Sequence, residues 1–194
     1  MTANTPMLID EFLPAYDVAE RHQVEVYART ERVYGAVRRL DLGGSGMVRM
    51  LFWLRELPVL LLDPSNRSRE GRLGLTLEAL LDGGFVLLGE RPNEELLLGL
   101  VGRFWTPSGD IQRLVPDEFL NFERSGYAKA VWNFSLSGQA GGTTLLTTET
   151  RVLCLDATSR KRFLFYWSLV GLFSGLIRRQ ILRSIKRQAE GISH

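Results

Sequence analysis

The stretch FLFYWSLVGLFSGLI (Phe163–Ile177) is apolar on every side of a helix and lies inside a longer helical segment, Ala157–Glu190. Such a run must be buried, because exposing apolar surface to water costs about 25 cal/mol per Å². Just upstream, YAKAVWNFSL (Tyr127–Leu136) and TTLLTTETRVLCL (Thr143–Leu155) read as two paired strands. The sheet that contains these strands is the natural partner of the helix. A sheet closed by one long helix typically leaves a cavity between the two.

The apolar part of this segment is too short to cross a membrane. As a helix, Phe163–Ile177 reaches roughly 22 Å, whereas the hydrocarbon core of a bilayer is roughly 30 Å thick. From Ile177 to Ala189, apolar residues recur every four positions among arginines and lysines, which predicts a helix half buried in its own protein. A core helix is favoured, with a helix at a membrane interface and an oligomer contact as alternatives. Gly171 and Gly175 predict a kink or break, since each lowers helix propensity by about 1 kcal/mol.

In the rest of the chain, sequence patterns predict a strand, two helices and a run of antiparallel strands before the closing helix. Met1–Glu20 is expected to be an extended or loosely packed N-terminal arm. The other predicted helices are Thr30–Leu40, Gly46–Glu56, Leu75–Leu81 and a helical turn at Pro116–Glu123. The other predicted strands are Gln23–Tyr27, Phe85–Arg91, Glu95–Trp105 and an edge strand at Ile111–Val115, and Asp63–Gly71 is a loop. The predicted fold class is α+β.

Composition indicates a globular protein and excludes several kinds of site. The chain has 194 residues, of which 45% are hydrophobic and 24% charged, and we expect one domain over 1–194. A single cysteine, Cys154, excludes an intramolecular disulfide, and the acidic N-terminus does not resemble a secretion signal, so we expect a cytoplasmic protein. The two histidines, His22 and His194, do not form a metal-binding cluster, and nucleotide-binding loop motifs are absent. We therefore expect no metal and no cofactor.

Charge is divided unevenly along the chain. Residues 157–194 hold eight Lys/Arg and one acid, a net charge of +7, whereas residues 1–156 hold 16 bases and 21 acids, a net charge of −5. Complementarity between the helix and the body of the protein explains this division without any partner. The alternative is weak contact of the basic C-terminal helix with an anionic membrane. The basic residues do not alternate with aromatic ones as single-strand binding requires, so no nucleic-acid partner is expected.

Several segments, taken in order, are similar to one known superfamily. They are QVEVYA followed by TERVYGAV (Gln23–Val37), then YAKAVWNF, LLTTETRVLCLD and RFLFYWSLVGLFSGLIRRQILRSIKRQAE. From about Tyr16 to Glu190 this series resembles bacterial members of the SRPBCC, or START-like and polyketide cyclase-like, superfamily. The resemblance implies a helix-grip fold, in which a curved antiparallel sheet wraps around a long C-terminal helix and two short helices follow the first strand.

Strand alternation leaves two choices for the side chains that line such a cavity. If the aromatic side of the sheet faces the helix, the pocket is apolar, Trp132 and Phe134 contact the ligand, and the polar side chains of the same strand are solvated. If the polar side faces the helix, an acid and a base lie together inside the cavity. The first choice is favoured, because burying ionised groups without good partners costs several kcal/mol. The polar side chains concerned are Lys129, Asn133, Thr147, Glu149 and Arg151.

Four further side chains are candidates for ligand contact. Arg103 and Trp105 close a strand that is otherwise rich in leucine, valine and glycine, and an arginine there can hold a ligand carboxylate through two hydrogen bonds. The alternative is that Arg103 extends into solvent. Tyr166 and Trp167 lie in the helix that faces the sheet, where they either cap a flat hydrophobic ligand or serve as core residues.

Two functions from different classes remain open. The first is a binding protein for a small hydrophobic or amphipathic molecule, such as a lipid or a polyketide-like compound, held between sheet and helix. The second is a cyclase- or aromatase-type enzyme, for which the superfamily resemblance is the main support. In the enzyme, Glu149 or Tyr166 moves a proton while Arg103 or Arg151 stabilises an enolate oxygen. A third possibility is that side chains fill the interior and the protein acts through its surface.

Overall fold

The computed structural model of the protein describes residues 6–39, 76–106 and 108–191, with the backbone alone at residues 172 and 173. Its strands are β1 Val18–Val26, β2 Val86–Arg91, β3 Glu95–Gly102, β4 Ala128–Gly138 and β5 Thr144–Cys154. They form a five-stranded antiparallel sheet in the order β1-β5-β4-β3-β2. The helices of the described ranges are α1 Leu8–Phe12, α2 Thr30–Arg38, α3 Leu77–Asp82, α4 Pro116–Asn121 and α5 Ala157–Glu190. The fold class is therefore α+β, as predicted. The predicted helix Gly46–Glu56 and loop Asp63–Gly71 lie outside the described residues.

Helices cover both sides of this sheet. On one side, here named the helix face, even-numbered residues of β4 and β5 pack under α2 and α5. Its core includes Val26, Phe134, Leu146, Ile181 and Ile185. On the other side, the outer face, odd-numbered residues pack under α1 and α4. Its core includes Ile9, Leu97, Phe119 and Val131. α5 lies mainly over β1 and β5 rather than over the middle of the sheet.

Four of the five strands follow the sequence pattern. The predicted hairpin is confirmed as β2 and β3, and its turn contains Asn93 at φ 65°, a conformation that asparagine tolerates better than most residues. The two strands before the closing helix are confirmed as β4 and β5, which pair along their whole length. The edge strand predicted at Ile111–Val115 is wrong, because in that segment Gln112 alone bridges to Val101.

The N-terminal arm differs most from its prediction. Part of it folds as α1, whose Ile9 is fully buried on the outer face, so the expectation of a loosely packed arm is wrong there. β1 begins at Val18 rather than at Gln23, and Val18 lies opposite Val152 of β5. Val18 faces inward, but the next two inward positions, Glu20 and His22, are polar, and the sequence therefore lacks the apolar alternation that marks a half-buried strand.

α5 is one continuous helix of 34 residues, and the break predicted at Gly171 and Gly175 does not occur. Gly175 has a packing role instead. A Cβ atom added there would lie 2.6 Å from Oε1 of Glu20 on β1, which is closer than such atoms approach. The absence of a side chain at Gly175 thus leaves room for the Glu20 carboxylate, which Arg178 and His22 hold in place.

The apolar run in α5 is buried on one side only. Phe163 is 1% exposed, but Leu164 is 40%, Phe165 71%, Leu169 60% and Leu176 49% exposed. The expectation that the run is buried all round is therefore wrong for its outward side. Among the described residues no helix is both long and apolar enough to span a bilayer.

Asp156 caps the N-terminus of α5 and joins it to the segment just before β4. Its carboxylate accepts hydrogen bonds from Thr158 N and Ser159 N at 2.9 Å each, and from Gly126 N and Ser159 Oγ at 2.6 Å each. These bonds, with Ser159 as the largest cause, lower the pKa of Asp156 from 3.8 to about 2. The stability that this carboxylate contributes is fully present above its unfolded-state pKa and is lost as the pH falls through about 2.

We expect Asp156→Ala to lower the thermal stability of the protein because the helix loses its cap. The difference in Tm between wild type and variant should be constant near neutral pH and should shrink between about pH 4 and pH 2, because over that range the carboxylate of the unfolded wild type binds a proton more readily than that of the folded protein. Thermal unfolding followed by circular dichroism at several pH values measures this difference. Asp117→Ala, at an exposed acid of α4, is the control. A difference in Tm that does not change with pH would contradict the role of the Asp156 carboxylate as the helix cap.

Candidate functional site

Two neighbouring rows of side chains cross the helix face, and the polarity of these side chains changes from strand to strand. From β1 to β3, the first row consists of Glu20, Thr150, Trp132 and Leu98. The second row, in the same order, consists of His22, Thr148, Phe134 and Leu96. Directly opposed residues in an antiparallel sheet hold their Cβ atoms about 5 Å apart, so each row is a continuous strip. From β1 to β3, the side chains of the helix face therefore change from ionisable through hydroxyl and aromatic to aliphatic.

Arg178 of α5 completes the polar end of these rows. Its Nη1 donates to Glu20 Oε2 at 2.7 Å, its Nε donates to Thr150 Oγ1 at 3.2 Å, and it also contacts the hydroxyl of Ser174. His22 Nε2 lies 2.8 Å from the other oxygen of Glu20. Arg178 is only 9% exposed, and burial lowers the pKa of its guanidinium while Glu20 opposes that decrease. The result is a compact ion-pair cluster between α5 and β1.

Next to this cluster, the helix face contains small side chains that are only partly buried. Ala130 and Thr150 are partly buried on the sheet, and Gly171 and Ser174 are partly buried on α5. Trp132 is also partly exposed, and its Nε1 donates to Thr148 Oγ1 at 2.7 Å. This region lies between the main core of the helix face, which Trp132 contacts, and a second apolar cluster around Phe163, which Ala130 contacts. We name it the mid-face region, and its residues are Glu20, Ala130, Trp132, Thr150, Gly171, Ser174 and Arg178.

The second cluster is aromatic and lies at the N-terminal end of α5. Phe163 is its centre and stacks on Trp167 with ring centroids 5.7 Å apart. Tyr166 and Trp105 also contact Phe163, with centroids at 6.2 Å and 6.5 Å. The Nε1 atom of Trp105 is buried, with no hydrogen-bond partner in the part of the chain that the structure describes. The structure thus brings together three of the predicted ligand contacts, Trp105, Tyr166 and Trp167, at one end of the interface.

The predicted acid and base pair lies on the opposite side of the sheet. Glu149 Oε1 is 2.6 Å from Arg151 Nε, and Arg151 Nη1 is 2.7 Å from Asp10 of α1. Arg151 also donates to the carbonyl oxygens of Ile9 and Leu13 at 3.4 Å and 3.2 Å. These contacts fasten α1 to the outer face. Glu149 and Arg151 are therefore separated by the sheet from Trp132 and Phe134.

Polar side chains of the outer face are buried. The sequence predicted that they would be solvated if the aromatic side of the sheet faced the helix. Asn133 is fully buried, and its Nδ2 donates to Glu95 Oε1 at 2.9 Å. Lys129 is 6% exposed, and its Nζ donates to the Leu120 carbonyl at 3.0 Å above the ring of Phe119. Burial lowers the pKa of Lys129. The expectation of solvation is wrong because α1 and α4 cover this face.

Arg103, another candidate for ligand contact, makes its contacts away from the mid-face region. The guanidinium carbon of Arg103 lies 4.6 Å from the ring centroid of Tyr127, and its Nε makes an ion-pair contact with Asp110 at 3.4 Å, without hydrogen-bond geometry. Tyr127 belongs to the outer-face core, so Arg103 is not beside Trp132. Burial and the nearby Asp17 raise the pKa of Cys154 to about 12, which keeps its thiol protonated at neutral pH.

Sequence reasoning missed the residues that form the polar end of the site. Glu20 and His22 lay in the arm predicted to be loose or just after it, and Arg178 was one of eight basic residues near the C-terminus. Arg178 and Glu20 are 158 positions apart, a pairing that no local pattern reveals. One available signal was Gly175, because a glycine one turn before Arg178 marks a close approach of the helix to another element. In the described ranges, no group of three or more His, Cys, Asp or Glu side chains is arranged to hold a metal ion.

Comparisons with known proteins do not assign a family to the chain. No protein-family model matches it, and no curated protein matches it. Among solved structures it is similar to the crystal structure of TTHA0849 from Thermus thermophilus, with 9% sequence identity and a TM-score of 0.35. That match covers 91% of this chain and 100% of the other. Structural similarity this weak does not indicate a function for this chain.

Proposed function

We propose that the protein binds a small hydrophobic or amphipathic molecule at the mid-face region, between α5 and the sheet. The observation that carries this proposal is the change in side-chain polarity across the helix face, from the Glu20 and Arg178 ion pair through Thr150 to Trp132. Ligand sites are commonly apolar surfaces with a few well-placed polar groups, and this strip has that composition. We further propose that the fold is a helix-grip fold of the START-like superfamily.

The charges at the polar end favour an uncharged head group on the ligand. The charge of Arg178 is already matched by Glu20 at 2.7 Å, so an additional carboxylate would have to displace that partner. A hydroxyl or carbonyl group instead needs only one hydrogen bond, which Thr150 or Ser174 can supply. The ligand body would then lie along Trp132 and the small residues Ala130 and Gly171.

Monoolein, a neutral amphipathic lipid, is a direct probe of this proposal. We expect it to change the tryptophan fluorescence of the wild-type protein saturably, and to bind more tightly than oleate, which has the same chain and a charged head. Native mass spectrometry of the protein as purified should also detect a co-purifying small molecule. A clean ligand-free mass together with no response to either lipid would contradict the proposal.

Filling the mid-face region should weaken this binding without unfolding the protein. We expect Ala130→Phe, on the helix face of β4, to weaken monoolein binding by about tenfold or more because the new ring occupies the space of the ligand. Ser135→Phe is the matched control, since it places the same ring on the outer face of the same strand. Fluorescence titration measures affinity, and circular dichroism verifies the fold. Equal effects of both substitutions would argue against the mid-face region as the site.

A cyclase- or aromatase-type enzyme is the second candidate. The observation that favours it is the contact of His22 with Glu20 at 2.8 Å, since a histidine and a carboxylate in hydrogen-bond contact can transfer a proton. The catalytic roles of Glu149 and Tyr166 stay predictions. Turnover that survives Glu149→Gln but is lost in His22→Gln would assign proton transfer to the helix face.

A further inference from the structure

The outward side of α5 carries exposed apolar residues in line with exposed cations. Phe165, Leu169 and Leu176 are 71%, 60% and 49% exposed. Four exposed basic residues flank them along the same helix, namely Lys161, Arg162, Arg179 and Arg183. At 100° per residue, all seven lie within an arc of about 100°. We name this set the α5 stripe.

Along the helix axis, the α5 stripe is cationic at both ends and apolar in the middle. Its apolar part, from Phe165 to Leu176, extends over about 16 Å, and Arg162 and Arg179 lie about 4.5 Å beyond its two ends. The helix is continuous over this whole length, so the stripe runs along one side of it without a break. Glu190 is the one acid in α5, and it lies about two turns beyond Arg183, where it accepts a hydrogen bond from the amide of Tyr27.

We propose that the α5 stripe is a docking surface for an anionic lipid bilayer, a role separate from ligand binding at the mid-face region. Helices that lie in the membrane interface bury an apolar face at the level of the acyl chains while lysine and arginine bind lipid phosphates. Phe165, Leu169 and Leu176 would enter the bilayer surface, and Arg162 and Arg179 would bind the head groups. The net charge of −5 on residues 1–156 is repelled by the same bilayer, which turns the molecule so that α5 approaches first.

A second copy of the chain fits this stripe poorly. Antiparallel pairing of two stripes over Phe165–Leu176 would place Arg162 of each copy beside Arg179 of the other. Parallel pairing would place each arginine beside its own equivalent. Both arrangements bring like charges together with no acid in the stripe to offset them, and such pairs are destabilising. A bilayer has no such conflict, because its surface charge is of the opposite sign everywhere.

Co-sedimentation of the full-length protein with vesicles tests this docking surface. Vesicles of phosphatidylcholine mixed with phosphatidylglycerol should bind the protein about tenfold or more tightly than vesicles of phosphatidylcholine alone, and high salt should weaken that binding. Phe165→Ser with Leu169→Ser should reduce binding to the anionic vesicles by about tenfold, and Arg179→Gln with Arg183→Gln by a similar factor. All four side chains are exposed, so the fold should tolerate these changes.

Matched controls use exposed residues around α4, on the other side of the sheet. Val115→Ser with Leu120→Ser removes apolar side chains that are 56% and 44% exposed, and Arg113→Gln with Arg124→Gln removes two exposed cations. Neither pair should change vesicle binding. Equal binding to both kinds of vesicle, or equal loss in the stripe and control variants, would overturn the proposal. So would a dimer of the wild-type protein, measured by analytical ultracentrifugation, that Phe165→Ser with Leu169→Ser converts to a monomer.

Discussion

Arg178→Met is expected to lower the free energy of unfolding by about 3 kcal/mol, because it leaves Glu20 without its cation between α5 and β1. Methionine keeps the apolar length of the side chain, so the loss reports the charge and its hydrogen bonds rather than a cavity. For a chain of this size, such a loss corresponds to a decrease in Tm of roughly 6–12 °C. Urea unfolding and thermal unfolding both measure it.

Arg179→Met provides the matched control for this experiment, since it makes the same change one residue further along, on the exposed side of α5. It should alter stability by less than about 0.5 kcal/mol. In the double variant Arg178→Met with Glu20→Gln, both charges are gone, and we expect part of the lost stability to return. If Arg178→Met were as stable as Arg179→Met, the ion pair would contribute nothing to the attachment of α5.

The sheet and the long helix were predictable because their signals are local. β4 and β5 are long runs of apolar and β-branched residues separated by turn residues, and α5 starts at an aspartate cap and ends at Gly191, which has a φ of 75°. α1 gave no comparable signal, because five helical residues show too little periodicity. Its stability comes from buried partners on β3 and β5 that are far away in the chain.

The candidate site was predicted only in its apolar half. Alternation in β4 favoured Trp132 and Phe134 on the side of the helix, and both lie there. The same alternation suggested solvated polar residues on the other side, but a strand pattern cannot reveal that α1 and α4 cover it. The polar half depends on Glu20, His22 and Arg178, whose contact is produced by the fold rather than by any spacing in the sequence.

Glu95→Leu is expected to detach α1 from the outer face and to lower the free energy of unfolding by about 3 kcal/mol. Glu95 is 3% exposed, and its carboxyl group accepts hydrogen bonds from Leu8 N at 2.8 Å, Ile9 N at 3.3 Å and Asn133 Nδ2 at 2.9 Å. Leucine fills the volume but accepts none of these bonds, so three buried donors lose their partner. Hydrogen bonds to a charged group contribute about 1.5–3 kcal/mol each, and they are not additive within one network.

Hydrogen exchange separates local detachment of α1 from general destabilisation. In the Glu95→Leu variant, the amides of Leu8, Ile9 and Leu13 should exchange much faster, whereas those of β4 and β5 should change only as far as global stability falls. Glu94→Leu is the control, because it makes the same substitution at the exposed neighbouring position in the hairpin turn. Unchanged protection of Leu8 and Ile9 would mean that the contacts of Arg151 with the carbonyls of Ile9 and Leu13 hold α1 without Glu95.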